Sequence, residues 1–153
     1  MENIIGKAKV AAVGILSVLA ARFGILVIPL VLLVVSNVID YATGMMAASY
    51  RGEKVNSNAG FKGIVKKVCM LLLVVVGMIV DVALAYGADT LGWNLPFSFL
   101  VSCIVSLWLL TNELLSILEN ISDTGVNIPP FLRPLVEWVK KKCEPEIDED
   151  DEE

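Results

Sequence analysis

Residues 98–120 read SFLVSCIVSLWLLTNELLSILEN, a hydrophobic segment with one polar side. Residues 91–112 are 22 residues without a charge, and at ~1.5 Å per helical residue they would cross a hydrocarbon layer of ~30 Å. At ~100° per residue, six polar side chains fall within an arc of about 80°: Ser98, Ser102, Ser106, Glu113, Ser116 and Asn120. A spanning helix with this polar stripe needs other helices or water beside it. The stripe indicates either a contact inside one small bundle, or a surface that meets copies of itself and becomes the wall of an aqueous opening.

The composition is typical of an integral membrane protein. The chain has 153 residues, is 56% hydrophobic and contains no His, and a soluble domain would not need such long uncharged runs. The net charge of -5 depends on the last ten residues, which hold eight acidic side chains. No concentrated Lys/Arg patch with aromatic side chains is present, so nucleic acid is not an expected partner. Without His, and with three scattered cysteines, the sequence predicts no metal site, no cofactor and no enzyme.

Four hydrophobic segments can be recognised, at about residues 4–21, 25–49, 65–88 and 96–120. The first is the weakest, because its uncharged part would form only ~18 Å of helix. We therefore expect an all-α integral membrane protein, a small bundle of three to four transmembrane helices plus a C-terminal amphipathic helix. Four spans are preferred; the alternative is three spans with the first segment lying on the membrane surface. The bundle would occupy residues 1–125.

The connection between the second and third segments is basic and predicts the orientation. It contains one acid and five basic residues: Arg51, Lys54, Lys62, Lys66 and Lys67. By the positive-inside rule this loop faces the cytoplasm. The next loop, residues 89–94, carries no basic residue and lies near an aromatic cluster, as expected of an outer loop. The C-terminus is then cytoplasmic and, with four spans, so is the N-terminus.

After Gly125 the sequence changes character. Pro129 and Pro130 suit the start of a helix, and the following residues place apolar side chains on one side and charged ones on the other. This pattern predicts an amphipathic helix within residues 126–143. It either lies on the inner membrane surface or packs on the cytoplasmic ends of the bundle. Residues 144–153 form an acidic tail that we expect to be disordered.

Three acidic residues, Asp40, Asp81 and Glu113, lie inside the hydrophobic segments. Small and polar residues share their helix faces, a spacing that permits close helix contact. The candidates for helix contact or pore lining are Ser36, Asp40, Thr43, Gly44, Gly77, Asp81, Ser98, Ser102, Ser106, Asn112, Glu113, Ser116, Glu119 and Asn120. Lys66 and Lys67 enter the third helix at the level of Asp40 and Glu113, so ion pairing there is one prediction. Hydration of these acids in an assembled pore is the alternative.

A series of motifs stands in order within residues 36–130: Asp40-Tyr-Ala-Thr-Gly44 with Ala47-Ala48, Asn56-Ser57, Gly60-Phe-Lys-Gly-Ile-Val-Lys-Lys67, Asp81, Asn112-Glu113-Leu-Leu-Ser-Ile-Leu-Glu-Asn120, and Gly125 with Ile128-Pro129. In these motifs the sequence resembles the toxin-secretion/phage-lysis holins, a bacteriophage holin family. The strongly acidic tail departs from the family, because many holins end in a basic tail. A fourth span would depart as well, because three spans are often described.

The resemblance implies a small phage-encoded protein of the bacterial cytoplasmic membrane. Such proteins oligomerise in the bilayer and, at a set time, open lesions that release a cell-wall hydrolase. The implied partners are the lipid bilayer, copies of the same chain and, in function without required direct contact, an endolysin. The alternative within the family is a helper of toxin secretion. The alternative from another class is a non-pore membrane protein, such as a holin antagonist or a structural subunit.

Overall fold

The protein is described here as a computed structural model that covers residues 2–53 and 57–144. Its described residues form α-helices joined by short turns, so the all-α prediction is confirmed. The helices are α1 (Glu2–Phe23), a short 3-10 helix (Gly24–Leu26), α2 (Val27–Tyr50), α3 (Ser57–Thr90), α4 (Leu100–Asp123) and α5 (Leu132–Cys143). Lys54 and most of the predicted acidic tail lie outside the described residues.

Three of the described helical segments are long and apolar enough to cross a membrane: Gly24–Tyr50, Gly60–Thr90 and Leu100–Asp123. They correspond to the second, third and fourth hydrophobic segments of the sequence. The preceding helix α1 contacts chiefly the 3-10 helix and α2, and its last residue, Phe23, packs on Phe99 with ring centroids 5.8 Å apart. A fourth span formed by α1 stays a prediction.

Helix α3 starts earlier than the hydrophobic pattern indicates. It begins at Ser57, whereas the predicted segment starts near residue 65. The residues between contain no proline that would stop a helix, and the helix includes them although Gly60 and Gly63 are poor helix formers. Lys62, Lys66 and Lys67 therefore lie on the first turns of α3 and not in a loop.

Helix α4 starts later than expected, at Leu100 instead of near residue 96. Phe99 has a left-handed backbone conformation (φ 62°), which interrupts helical geometry just before Leu100. Ser98 therefore precedes the helix, and it is exposed.

Helix α4 is the centre of the bundle. It packs against α2, α3 and α5, and the buried apolar core consists of Leu26, Leu33, Met70, Val74 and Leu109. In contrast, one side of α3 is exposed along much of its length, as at Leu72, Val76 and Ile79. An apolar side exposed on a spanning helix is the surface that faces lipid tails or another chain.

Helix α5 folds back alongside α4. Arg133, near its start, binds Glu119 at 2.8 Å, while Lys140, near its end, lies with Nζ 5.6 Å from the centroid of the Trp108 ring. Val136 is buried, whereas Trp138 is exposed. Helix α5 thus packs along the side of α4, whereas the predicted packing was on the cytoplasmic ends of the bundle. Contact of α5 with the membrane surface stays a prediction.

Candidate functional site

A cluster of charged and amide side chains joins the three candidate spans. Lys67 of α3 donates hydrogen bonds to Asp40 Oδ2 (2.8 Å) and Asn37 Oδ1 (3.2 Å) of α2, and to Glu113 Oε2 of α4. The side chains of Lys67, Asp40 and Glu113 are only 17%, 16% and 6% exposed. The predicted ion pairing of Lys67 with both acids is therefore present, whereas Lys66 is exposed. We call Asn37, Asp40, Lys67, Glu113 and Asn120 the lysine cluster.

Asn120 completes the lysine cluster from the last turn of α4. Its Nδ2 donates to Asp40 Oδ1 at 3.0 Å and to Thr43 Oγ1 at 3.3 Å. Gly44 lies beside this amide: a Cβ on Gly44 would be 3.6 Å from Asn120 Nδ2, an ordinary van der Waals distance. Two carboxylates share one ammonium group, so the hydrogen bond from the Asn120 amide to Asp40 Oδ1 reduces the cost of burying the extra negative charge.

A second polar contact lies at the opposite end of α4. The Asp81 carboxylate of α3 accepts hydrogen bonds from the backbone N–H groups of Val101 (2.8 Å) and Ser102 (2.9 Å), and from Ser102 Oγ (2.7 Å). Helix α4 has no N-cap side chain of its own. The first N–H groups of a helix lack intrahelical partners and favour an anion. Asp81 therefore caps α4 from a neighbouring helix, and we call this contact the aspartate cap.

Close backbone approach accompanies the aspartate cap. A Cβ on Gly77 would lie 2.8 Å from Ser102 Cα, closer than real Cβ contacts allow. Ser106, one turn further along α4, is fully buried and donates to the backbone carbonyl of Ser102 at 2.7 Å. The predicted small-residue contact of Gly77 is thus a direct α3–α4 contact, of the kind that lets spanning helices pack tightly.

The buried residues of the polar stripe of α4 are satisfied within one chain. Ser102, Ser106 and Glu113 are buried between helices, and no buried side-chain nitrogen or oxygen among the described residues lacks a hydrogen-bond partner. Ser36 likewise donates to the carbonyl of Leu33 at 3.0 Å. The structure thus shows helix contacts at these positions, while a pore-lining role stays a proposal.

The remaining candidates lie outside these two contacts. Asn112 and Ser116 line a cleft of about 510 Å³ next to the lysine cluster. Glu119 is exposed and binds Arg133. Ser98 lies in the loop before α4, and Lys62 is exposed on α3.

Arg51 joins the end of α2 to the end of α4. It forms ion pairs with Glu53 (2.8 Å) and with Asp123. The hydrogen bond from Arg51 holds the pKa of the Glu53 carboxyl below its usual range and raises the pKa of the guanidinium. These side chains are exposed, and exposed ion pairs stabilise a fold only slightly.

The sequence patterns did not identify two residues that form contacts between helices. Asn37 belongs to the lysine cluster, and its position three residues before Asp40, on the same helix face, is a signal that could have identified it. Trp108 donates its Nε1–H to Glu144 Oε1 at 2.9 Å. No local pattern indicates this contact, because it depends on α5 folding back along α4.

Comparison with known proteins identifies the family. Residues 17–141 match the sequence profile of the bacteriophage holin family. The chain belongs to this holin family. Both the lysine cluster and the aspartate cap lie inside the matched residues. No solved structure matches the chain.

Individual relatives of this holin-family protein come from bacteria and from a phage. An uncharacterised protein of Listeria innocua is 34% identical over 128 residues, covering 84% of this chain and 83% of the relative. An uncharacterised protein of Clostridium perfringens is 31% identical over 142 residues, covering 93% and 97%. A probable holin of Bacillus phage phi105 is 28% identical over 121 residues, covering 79% and 81%. Family membership and three apolar helices together make the chain a multi-pass membrane protein with a holin-like role.

Proposed function

We propose that this protein is a holin that assembles with copies of itself in the bacterial cytoplasmic membrane and opens lesions. A phage cell-wall hydrolase would leave through these lesions, which sets the time of host lysis. The observation that carries the proposal is membership of the bacteriophage holin family over residues 17–141, supported by the similarity to a probable holin of Bacillus phage phi105.

The packing of the bundle supports a route from closed monomer to open assembly. Helices α2 and α3 both pack on α4, and they reach each other through long side chains, as in the Lys67–Asp40 ion pair. A separation of α4 from these two helices would expose the buried side that carries Ser102, Ser106 and Glu113. Polar groups released from their partners need water or equivalent partners. We propose that this side then lines the lesion, with water replacing the intramolecular hydrogen bonds.

The exposed side of α3 supports assembly in the membrane. Its Val68, Leu72, Val76 and Ile79 are exposed, and so is Cys69. In lipid, an apolar helix surface gains no hydrophobic free energy from association, so the contact depends on packing between chains. We propose this surface as the first contact between copies, formed while the polar side of α4 is still covered.

Inducible expression in a bacterium tests the proposed function. Membrane potential and release of a cytosolic reporter protein would be followed after the protein has accumulated in the membrane. We expect a sudden loss of potential together with release of the reporter. Continued growth with an intact potential, despite abundant membrane insertion, would contradict the proposal. A toxin-secretion helper would open a comparable lesion for a toxin instead of a cell-wall hydrolase. A hydrolase gene or a toxin gene beside the gene of this protein would distinguish these two functions.

A second candidate function is a membrane protein that forms no pore, such as a holin antagonist or a structural subunit. One observation favours it: the buried polar side chains of the described bundle are satisfied without a second chain. Cross-linking through the exposed Cys69 separates the two candidates, with Cys103 and Cys143 replaced by Ser. A ladder of large homo-oligomers supports the holin, whereas dimers or hetero-complexes support the second candidate.

We also propose the orientation indicated by the basic residues, with Arg51 and the C-terminus in the cytoplasm. The exposed Arg51 and the basic start of α3 lie at the same end of the bundle as Asp123 of α4, which is consistent with the positive-inside rule. Labelling of a single cysteine introduced at residue 3 by a membrane-impermeant reagent tests the position of the N-terminus. Labelling in intact cells would support three spans, and protection until the cells are opened would support four.

A further inference from the structure

The described ion pairs are concentrated at the end of the bundle where α3 begins. Three cations each bind two carboxylates there: Lys67 binds Asp40 and Glu113, Arg51 binds Glu53 and Asp123, and Arg133 binds Glu119 and Glu137. With Glu144 counted, eight basic and seven acidic side chains nearly balance in number at this end, but they are unevenly paired. Among the residues that the structure describes, five lysines here have no carboxylate partner: Lys62, Lys66, Lys140, Lys141 and Lys142.

Three of these lysines adjoin one cleft, of about 510 Å³, at the junction of α3, α4 and α5. Lys66 of α3 and Lys140 of α5 line this cleft, and Lys62 precedes Lys66 by about one turn on the same face of α3. Lys62 and Lys66 are exposed, and Lys140 is half-buried. We call Lys62, Lys66 and Lys140 the basic surface. Lys141 and Lys142 follow on other faces of α5 and do not line the cleft.

Helix α5 runs from the end of α4 toward the middle of this spanning helix. Arg133, near the start of α5, binds Glu119, whereas Lys140, near its end, reaches the ring of Trp108. Trp108 lies 11 residues before Glu119 on α4, a distance of about 16 Å along the helix. Glu144, the last described residue, lies at the same depth, since its Oε1 accepts a hydrogen bond from Trp108 Nε1 at 2.9 Å. The described chain therefore ends on the way into the bilayer.

The nine residues that follow, 145–153, hold seven acidic side chains and no basic one. Carboxylates are costly inside hydrocarbon, so a path deeper into the bilayer is unfavourable, and a path back along the bundle passes the basic surface. Nine extended residues reach up to about 30 Å. Lys62 lies 11 residues before Leu73 on α3, or about 16 Å along the helix, and Leu73 lines the same cleft as Glu144. The basic surface is therefore within reach of this segment.

We propose that the acidic tail, residues 145–153, folds back and binds the basic surface of its own chain. Attachment at Glu144 keeps the seven carboxylates near these lysines at a high effective concentration. No single tail conformation is needed, because any of the carboxylates can pair with any lysine of the basic surface. Helices α3 and α5 each pack on α4, so the bound tail bridges them. The inference requires only that the chain spans a bilayer, and it stands whether or not the protein opens lesions.

Carbodiimide cross-linking of the full-length chain tests this contact, because the reagent joins a carboxylate directly to a neighbouring lysine. The protein is reconstituted in phosphatidylcholine vesicles with an equal amount of chain that carries heavy nitrogen, and the cross-links are identified by mass spectrometry. We expect links from residues 146–153 to Lys62 and Lys66 within one chain. Lys7 and Lys9 on α1 are exposed controls and should remain unlinked. Absence of links to α3, equal linking of Lys7 and Lys9, or links only between chains would overturn the proposal.

Energy transfer between two dyes tests the dependence of the contact on charge. The dyes are attached to F61C/E153C in a chain whose native cysteines are replaced by Ser. K62Q/K66Q should lower the transfer to its value in 1 M salt, where charges are screened beyond ~3 Å. K141Q/K142Q removes the same charge from other faces of α5 and should leave the transfer unchanged. Equal losses in the two variants would overturn the proposal. Loss of transfer on adding phosphatidylglycerol to the vesicles would also overturn it, because an anionic lipid would then be the occupant.

Discussion

Asp81 of α3 caps α4 through Ser102, accepting its backbone N–H at 2.9 Å and its hydroxyl at 2.7 Å. The acidic side chain, which lies inside a hydrophobic segment, thereby accepts hydrogen bonds from backbone N–H groups at the start of a helix. These N–H groups have no acceptor within their own helix. The contact couples the position of α3 to the point at which α4 begins. The buried side of α4 is in this way held at one end by the aspartate cap and further along by the lysine cluster.

Replacing Asp81 with Ala should destabilise the bundle by about 1–2 kcal/mol, because α4 loses its only side-chain cap among the described residues. Thermal unfolding of the purified protein in detergent, followed by circular dichroism, measures the change. Asp89→Ala is the matched control, since Asp89 is exposed near the end of the same helix. Equal losses of stability from the two substitutions would show that the aspartate cap does not stabilise the bundle specifically.

Replacing Gly77 with Ala should cost about 1–3 kcal/mol, because its Cβ would lie 2.8 Å from Ser102 Cα and force α3 and α4 apart. Gly87→Ala introduces the same methyl group on α3 where no heavy atom lies within 4 Å. This control should be neutral or stabilising by up to about 1 kcal/mol. The same thermal unfolding experiment compares the two, and a harmless Gly77→Ala would disprove the close contact.

Replacing Lys67 with Met should destabilise the protein by about 3–5 kcal/mol, because it leaves Asp40 and Glu113 buried without their cation. Lys66→Met removes a neighbouring charge that is exposed and should have a small effect. Adding Glu113→Gln to Lys67→Met should recover part of the loss, since one uncompensated charge is then removed. Additive destabilisation in the double variant would argue against direct coupling.

The ion pair of Arg51 should make Glu53 titrate at lower pH than an ordinary glutamate. The pKa of Glu53 is lowered by the hydrogen bond from Arg51. A group with a lowered pKa contributes stability above its unfolded pKa, and the contribution is lost as the pH falls through the folded pKa. Titration of the side-chain carboxyl carbon by NMR should show the lowered pKa, and Arg51→Gln should return it toward the usual value. An unchanged titration in Arg51→Gln would contradict the assignment.

A disulfide between α2 and α4 should block lesion opening if the buried side of α4 has to separate. The Asn120 side chain reaches Gly44 across this contact, so Gly44→Cys with Asn120→Cys, in a chain whose native cysteines are replaced by Ser, places the two cysteines on facing sides of α2 and α4. Under oxidising conditions we expect no reporter release, and reduction should restore it. The single cysteine variants control for the substitutions themselves. Normal lesion timing in fully cross-linked protein would refute this route of opening.

Several elements of the structure were predictable from short-range patterns. The three apolar spans follow from hydrophobic runs of sufficient length, interrupted only by single acids such as Asp40 and Asp81, and the polar side of α4 follows from residues repeated at helical spacing. The pairing of Lys67 with Asp40 and Glu113 was predictable as well. A buried charge needs an opposite charge at the same depth, and counting residues from the membrane boundary gives that depth.

Other features are decided only by the tertiary structure, because they depend on residues far apart in the chain. The role of Asp81 depends on α3 lying beside the start of α4, which is itself set by the left-handed Phe99. The contact of Lys140 with Trp108 depends on α5 turning back along α4. The start of α3 at Ser57 lies outside the apolar run, where hydrophobic patterning gives no signal.

The sequence by itself determined that the chain crosses a membrane and that one side of α4 is polar, because hydrophobic length and helical spacing are properties of each segment alone. Only the tertiary structure decided what that polar side contacts. Buried polar groups are satisfied by whichever donors and acceptors packing brings within hydrogen-bond distance. For Ser102 and Glu113 these are Asp81 and Lys67 of the same chain.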